Sequence, residues 1–384
     1  ILTDSSEYTI GKSVVDNDNM EITLDDFETH VENVLSLESV GCKDWLTNKV
    51  DRSVTGKVAM QQCVGPYQLP INNLGIMALD YTGKSGIASS IGHAPIAGLL
   101  DPGEGSRLAV CEALTNIVWA PLKDGLDSVS LSANWMWPAK VEGENARLYS
   151  AVKAISDFCV DLGINIPTGK DSLSMTQKYP NGDLVYSPGT VIVSAAGEVS
   201  DVKKAVTPVL KNVENTKVIY VDFSLSNFDL GGSAFAQTLN SLGDKAPAVK
   251  SAEYVRKSFN TIQQLINEGL ILSGHDVSSG GLITTLLEMC FGAEDLGMEL
   301  LFDVFENEYI YNIAFSEKPA IVIQVKDYNK VASILIENNI EFFILGDVVE
   351  SDNINIICAN LIREAYPTCY GNDERWGNHL YPVF

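Results

Sequence analysis

The sequence predicts a layered α/β or α+β protein of two successive domains. Three observations carry this. Segments with apolar residues at helical spacing alternate with short apolar, β-branched runs along most of the chain, which is the pattern of helices packed on sheets. The 384 residues are more than one ordinary domain holds. A polar stretch over 198–215, containing Pro208, separates two sets of such segments. The expected domains are 25–200 and 210–358. A polar, acidic arm over 1–24 and a tail over 359–384 fit neither pattern.

In the first domain an amphipathic helix is expected over 24–37. Turn-forming residues over 51–56 lead into strands over 58–63 and 74–80, with a third near 87–91. The loop 101–106 starts a helix running to about Trp119, because Leu108, Ala109, Ala113, Leu114 and Val118 keep helical spacing. A strand over 128–134 precedes a helix over 148–162, whose Val152, Ile155 and Phe158 are expected on one face. A further strand covers 191–196. The second domain opens with a buried strand over 217–223. Helices near 232–242, 252–268, 281–291 and 329–338 follow, with strands near 270–273, 298–302, 320–325, 342–348 and 354–357. No internal repeat or low-complexity tract is visible.

Composition narrows the function. Hydrophobic residues are 46% of the chain, enough for real cores. The net charge of −24 argues against binding bare nucleic acid or an anionic membrane surface, but not against a phosphate that arrives with Mg²⁺. No stretch is apolar enough to span a bilayer, and no signal peptide opens the sequence. The seven cysteines include no C-x-x-C pair, so a reduced, cytoplasmic protein without a zinc site or disulfide framework is expected. The four histidines lie far apart, and each is expected on the surface or in a loop.

The most informative stretch is Gly274-His275-Asp276-Val277-Ser278-Ser279-Gly280-Gly281-Leu282, between an apolar run and a helical one. A strand, a loop of small residues and a helix start would leave backbone N–H groups free to bind an anion. Asp276 repels a bare phosphate but attracts one carrying Mg²⁺. The alternative is an ordinary capped helix start. Glu112 and Asn116, one turn apart, put two oxygen-bearing groups on one helix face, suited to Mg²⁺ or simply to solvent. Asn72 and Asn73 at a strand entry are either turn formers or ligand contacts. Lys43 taken alone reads as a surface lysine. Gly231-Gly232-Ser233 could approach a phosphate or form a tight turn. The stretch Pro167-Thr168-Gly169-Lys170-Asp171-Ser172 is not a P-loop, because Asp171 stands where a metal-binding Ser or Thr belongs. A loop in which Lys170 and Asp171 pair, followed by strand over 172–175, is expected instead.

Five motifs in one order carry a resemblance: Val64-Gly65-Pro66-Tyr67-Gln68; Gly105-Ser106-Arg107-Leu108-Ala109-Val110 with Glu112-Ala113-Leu114-Thr115-Asn116; Leu131-Ser132-Ala133-Asn134-Trp135-Met136; Pro167 to Met175; and His275 to Leu282. Together, over roughly 25–350, they resemble the large-form phosphoribosylformylglycinamidine synthases, the FGAR amidotransferases of purine biosynthesis. The resemblance implies the second half of a two-part synthetase core, with an aminoimidazole-ribonucleotide-synthetase-like N-terminal domain followed by a C-terminal α/β domain. It further implies a reaction in which ATP activates FGAR for attack by glutamine-derived ammonia, giving FGAM.

In such enzymes the second half holds an auxiliary Mg–nucleotide (ATP/ADP) site that does not turn over, so this fragment is expected to be inactive alone. Its implied partners are the first synthetase half and the glutaminase domain, with a homodimer replacing the missing half as a further expectation. The implied metal ligands are Glu112, Asn116, Asp276 and Asn73, and the implied nucleotide contacts are Lys43, Asn72 and Ser278. The family carries aspartate where Asn73 stands; an amide brings no charge, and Asp80 is the candidate to compensate. Two alternatives stay open: a stand-alone homodimeric ATP-dependent enzyme of the aminoimidazole ribonucleotide synthetase superfamily, and a non-enzymatic scaffold tied together by a nucleotide.

Overall fold

Alternation of buried and outward side chains organises the first sheet, and burial on both faces organises the centre of the second. The computed structural model describes residues 24–47, 52, 56–305, 308–351, 353–358 and 382–383. The arm expected over 1–24 and the tail over 359–384 fall outside these, apart from Leu24 and residues 382–383.

The first half of the chain contains helices α1 (Leu24–Leu35), α2 (Asp44–Thr47), α3 (Pro95–Leu100), α4 (Pro102–Ile117) and α5 (Glu144–Leu162). Its strands are β1 (Val58–Met60), β2 (Gly75–Ala78), β3 (Gly86–His93), β4 (Val129–Met136), β5 (Asn165–Ser172), β6 (Thr176–Lys178), β7 (Leu184–Tyr186) and β8 (Thr190–Val199). Six of these form one sheet in the order β1-β2-β3-β8-β4-β5, antiparallel except for the β4–β5 pair. β6 and β7 form a separate hairpin. Along β8, Val191, Val193, Ala195 and Val199 face the core, while the residues between them face outward. On β3, Ala88 and Ser90 point inward, whereas Ile87 and Ile91 are 46% and 59% exposed. The covered face lies against α4, and the other face carries apolar side chains in the open.

Helix α4 is the hub. Asp101 caps it, its Oδ1 accepting the N–H groups of Gly103 at 2.8 Å and Glu104 at 2.9 Å, and Pro102 supplies a first residue with a preset backbone. The helix therefore starts at Pro102, within the stretch expected to be loop. It approaches β3 so closely that a Cβ on Gly92 would lie 2.2 Å from Ala109 O, so only glycine fits there. In α5, Ile155 and Phe158 are buried as expected, but Val152 is exposed.

The second half contains α6 (Ala234–Thr238), α7 (Ala252–Asn267), α8 (Gly281–Phe291), α9 (Ile310–Phe315) and α10 (Tyr328–Glu337). Its strands are β9 (Lys217–Asp222), β10 (Ile271–Val277), β11 (Leu296–Leu301), β12 (Ala320–Val325), β13 (Phe342–Glu350), β14 (Ile354–Ile357) and β15 (Pro382–Val383). They form a seven-stranded sheet ordered β10-β12-β9-β13-β11-β14-β15, with β11–β14 the parallel pair. Both faces of its centre are covered, so β12 is buried at every residue. Ile219, Val221, Ile321 and Ile323 join an apolar cluster that also contains Leu114 and Ile117 of α4 and Phe259 and Ile262 of α7. Val218, Tyr220 and Val322 join a second cluster with Phe27 and Val31 of α1, Phe235 of α6, Leu286 of α8 and Phe315 of α9. The first cluster thus runs from one sheet to the other through α4 and α7.

Three expectations change. The helix expected over 232–242 is the short α6, because Gly232 at φ +78° and Asn240 at φ +51° interrupt it. Residues 165–172 form β5, an edge strand paired on one side with β4, rather than a loop. Lys170 Nζ points to Ser172 Oγ at 3.4 Å, with no ion pair to Asp171, since neighbours along a strand face opposite ways. The strand expected over 172–175 ends at Ser172.

Candidate functional site

Helix α4 and strand β10 meet where the two halves join, and they bring the carboxylate of Asp276 within electrostatic reach of Glu112. A cavity of about 220 Å³ lies there. Its walls include His93, Ala97 and Glu112 from the first half, and Gly232, Ser278 and Glu317 from the second. Among the described residues lining it there is no lysine or arginine.

Glu112 is mostly buried, and its Oε2 accepts the backbone N–H of His93 at 2.5 Å. Burial pushes its carboxyl up to about 8, and the charges of Asp276 and Glu317 add to the effect. Asp276 is 3% exposed, and its Oδ2 has no hydrogen-bond partner. Strand β10 continues through Val277, so His275 and Asp276 sit on the strand rather than in the loop expected there. The loop proper is Ser278 to Gly280. It turns through Gly280 at φ +93° and Gly281 at φ +74°, where any Cβ at Gly281 would strike Ala314 O at 2.6 Å.

Glu317, in the turn before β12, was not singled out by the sequence, because it belongs to no recognisable motif. Its Oε1 accepts the N–H groups of Gly280 and Ala234, each at 2.8 Å, tying the loop before α8 to the start of α6. Burial pushes its carboxyl up to about 7.

The expected histidine environment is also corrected. His275 is buried, because β10, the edge strand of its sheet, is covered by Asn73 and Trp119 of the first half. Its Nδ1 lies 2.5 Å from Asn73 Oδ1, and its Nε2 lies 2.8 Å from Glu288 Oε2 on α8. Burial alone would lower the imidazole's affinity for a proton, but Asp276 and Glu288 outweigh it and hold the ring up to about 9. Glu288 stands thirteen residues further on in an apolar helix, and nothing local marks it.

The other candidate residues are placed as follows. Asn73 is buried beside His275, and its Nδ2 donates to Gly274 O at 3.2 Å. Asn72 donates from Nδ2 to Gln61 O at 2.7 Å, and its Oδ1 is buried without a partner. Asn116 turns its Nδ2 back to Glu112 O at 3.0 Å, so its amide serves its own helix. Ser278 lines the cavity. Lys43 donates from Nζ to Gly41 O at 2.8 Å and does not line the cavity. Asp80 lies beyond the end of β2, half-buried, and its carboxylate is turned to its own loop, where Thr82 and Ser85 hold it well below the usual range by hydrogen bonding.

A divalent cation fits this donor set. Asp276 presents an unpartnered buried oxygen, and Glu112 faces the charge of a second acid without a cation nearby. Among the described residues no three His, Cys, Asp or Glu side chains converge as a metal-holding group. Two carboxylates supplemented by water and phosphate oxygens is what Mg²⁺ commonly takes, whereas a structural zinc site needs four protein ligands. Among the described cysteines, Cys42, Cys111, Cys159 and Cys290 are free, and burial pushes the last two thiols up to about 12. No helix among the described residues is long and apolar enough to cross a membrane.

Two family models match successive parts of the chain. The family model described as FGAR-AT PurM_N-like domain matches residues 42–198, and that of the AIR synthase related protein C-terminal domain matches 224–359. The chain is 40% identical over 353 residues to the phosphoribosylformylglycinamidine synthase of Dictyostelium discoideum, covering 88% of this chain and 26% of the relative. It is 42% identical over 298 residues to the Homo sapiens protein of the same name, covering 77% of this chain and 22% of the relative. The chain thus spans about a quarter of the length of these curated relatives. Among solved structures, T. maritima PurL complexed with FGAR shares the fold at a TM-score of 0.63 and 14% identity, covering 90% of this chain and 54% of that one. T. maritima PurL complexed with ATP does so at a TM-score of 0.60 and 15% identity, with 90% and 52% covered.

Proposed function

Because this chain belongs, as a partial segment, to the phosphoribosylformylglycinamidine synthase family, we propose that it is the second half of that synthetase core and carries an auxiliary Mg–nucleotide site. The segments 25–200 and 210–358 act as its two domains, and the cleft between them is the site. The observation that carries this reading is the buried, unpartnered Oδ2 of Asp276, one residue before the cavity-lining Val277 and within electrostatic reach of the mostly buried Glu112.

Glu112 and Asp276 would hold Mg²⁺; Asn116 donates through Nδ2 and keeps its Oδ1 for an ion, and Asn73 Oδ1 has a second lone pair beside its bond to His275. The bound ion would offset the negative charge of the two acids and of a diphosphate. Ser278 and Ser279, which line the cavity, would face the nucleotide phosphates, while the N–H of Gly280 is given to Glu317. Lys43 and Asn72 do not line the cavity and would contact the nucleotide only after leaving Gly41 O and Gln61 O. Apolar walls such as Ala97, Leu108 and Pro247 exclude water from it.

In the whole enzyme the reaction converts FGAR, glutamine and ATP to FGAM. This segment contributes a structural nucleotide site and makes no FGAM alone. Its partners are the first synthetase half and the glutaminase domain; in their absence, the apolar outer face of the first sheet, with Ile87 and Ile91, favours a homodimer. The chain works in the cytoplasm. A stand-alone homodimeric ligase is less well supported, because the first half of the chain matches the FGAR-AT form of the domain.

Thermal melting with Mg–ADP tests the reading. A ligand at 100 times its Kd adds about 2.7 kcal/mol, so a rise of several degrees is expected with Mg–ADP and little with ADP alone. An unchanged melting temperature at saturating Mg–ADP refutes the site. FGAM formation by the purified segment refutes its being inactive alone.

A further inference from the structure

Two buried oxygen donors, Asn73 and Asp276, come from opposite halves of the chain, and one imidazole touches both. His275 Nδ1 lies 2.5 Å from Asn73 Oδ1 and 3.2 Å from Asp276 Oδ1. The amide of Asn73 is oriented by a separate bond, Nδ2 to Gly274 O at 3.2 Å, which turns Oδ1 toward the ring. Nδ1 therefore donates. On the far side of the ring, Nε2 is 2.8 Å from Glu288 Oε2 on α8. The ring is buried, so rotating it would leave polar atoms unpaired away from water. Neither His275 nor Glu288 lines the cavity itself.

We propose that His275 is a positioning residue for divalent-cation binding, bridging Asn73 Oδ1 and Asp276 Oδ1 through Nδ1 while Glu288 holds the ring from behind. The role rests on the cation site proposed above and extends it to two residues that touch no ligand. Its physical content is directional. With Oδ1 of Asp276 held by the ring, Oδ2 is the oxygen left for a cation. Without the ring, the carboxylate of Asp276 and the amide of Asn73 can both rotate, and the two halves lose a side-chain link at the mouth of β10. Outer partners of this kind typically set metal affinity by about 10–100-fold.

The test uses Mn²⁺, a paramagnetic stand-in for Mg²⁺, titrated into the full 384-residue chain and followed by electron paramagnetic resonance, with cation-free melting recorded for every variant. His275→Ala is expected to weaken Mn²⁺ binding by about 10–100-fold. His275→Asn, whose side-chain N–H can stand in for Nδ1, is expected to recover most of that loss, a rescue that a purely space-filling role would not give. Should His275→Ala fail to fold, Glu288→Ala tests the same link from a partly exposed position on α8, and weaker Mn²⁺ binding at an unchanged melting temperature supports it. Mn²⁺ affinity equal to wild type in the folded His275 and Glu288 variants overturns the role while leaving the cation site standing. Absence of Mn²⁺ binding by the wild-type chain overturns the site, and the role with it.

Discussion

One oxygen of Glu317 receives the backbone N–H of Gly280 at 2.8 Å, and the same oxygen receives that of Ala234, so a single buried carboxylate ties together two loops that line the cleft. Glu317→Ala leaves both N–H groups without their acceptor. Each unpaired buried donor costs about 1–3 kcal/mol, so the melting temperature should fall by several degrees, with any nucleotide affinity falling alongside. Glu317→Gln keeps an accepting oxygen and should lose much less. Equal melting of Glu317→Ala and wild type would show that the tie is not made.

Stability should fall as pH rises through the neutral range. Glu112 and Glu317 are held up to about 8 and about 7, from ordinary values of 4.5, and His275 to about 9 from 6.5. All three bind protons more tightly folded than unfolded, so the native state takes up protons that the unfolded chain releases. Their contribution is complete below about 4.5 for the acids and 6.5 for the histidine, and it is lost as pH passes the folded values. Denaturant melts between pH 5.5 and 9 should show this decline, and Mg²⁺ with ADP should reduce it. A stability that climbs over that range contradicts the assignment.

Asp276→Asn separates cation binding from folding. The amide keeps the shape of the side chain and removes a charge that faces Glu112. Without cation, relief of the repulsion with Glu112 opposes loss of the charge paired with His275, so melting should change little, while Mg–ADP affinity drops at least about tenfold. Calorimetric titration decides this; wild-type affinity in Asp276→Asn would remove Asp276 from the site.

The reverse change is Asn73→Asp. It adds a buried carboxylate on the His275 ring that also touches Asp276. The cation-free chain should be destabilised, and Mg²⁺ should bind more tightly and restore it. Unaltered Mg²⁺ affinity would place Asn73 outside the ion's surroundings.

Gly274→Ala tests the join between the halves. A Cβ there would lie 2.2 Å from the Trp119 ring, which is fully buried at the end of α4. The ring would have to shift, at a cost of about 1–3 kcal/mol, and the near-ultraviolet circular dichroism of tryptophan should change with it. A variant with wild-type melting and spectrum would disprove the close contact.

Local sequence determined the elements and which face of each is buried. The alternation along β8, the continuous apolar run of β12 and the spacing in α4 needed only the side-chain period of strands and helices. Ordered motifs added the family. Contacts between distant residues were beyond this reading, because periodicity says that a side chain is turned inward but not what it meets. His275, Glu288 and Glu317 became intelligible only once β10, α8 and the turn before β12 lay side by side. The same holds for Asp276: the sequence supplied a carboxylate on a promising segment, and tertiary packing decided that one of its oxygens is buried, unpartnered and within electrostatic reach of Glu112. Burial and the approach of a second charge are properties of the assembled cleft, and they exist only when both halves are folded against each other.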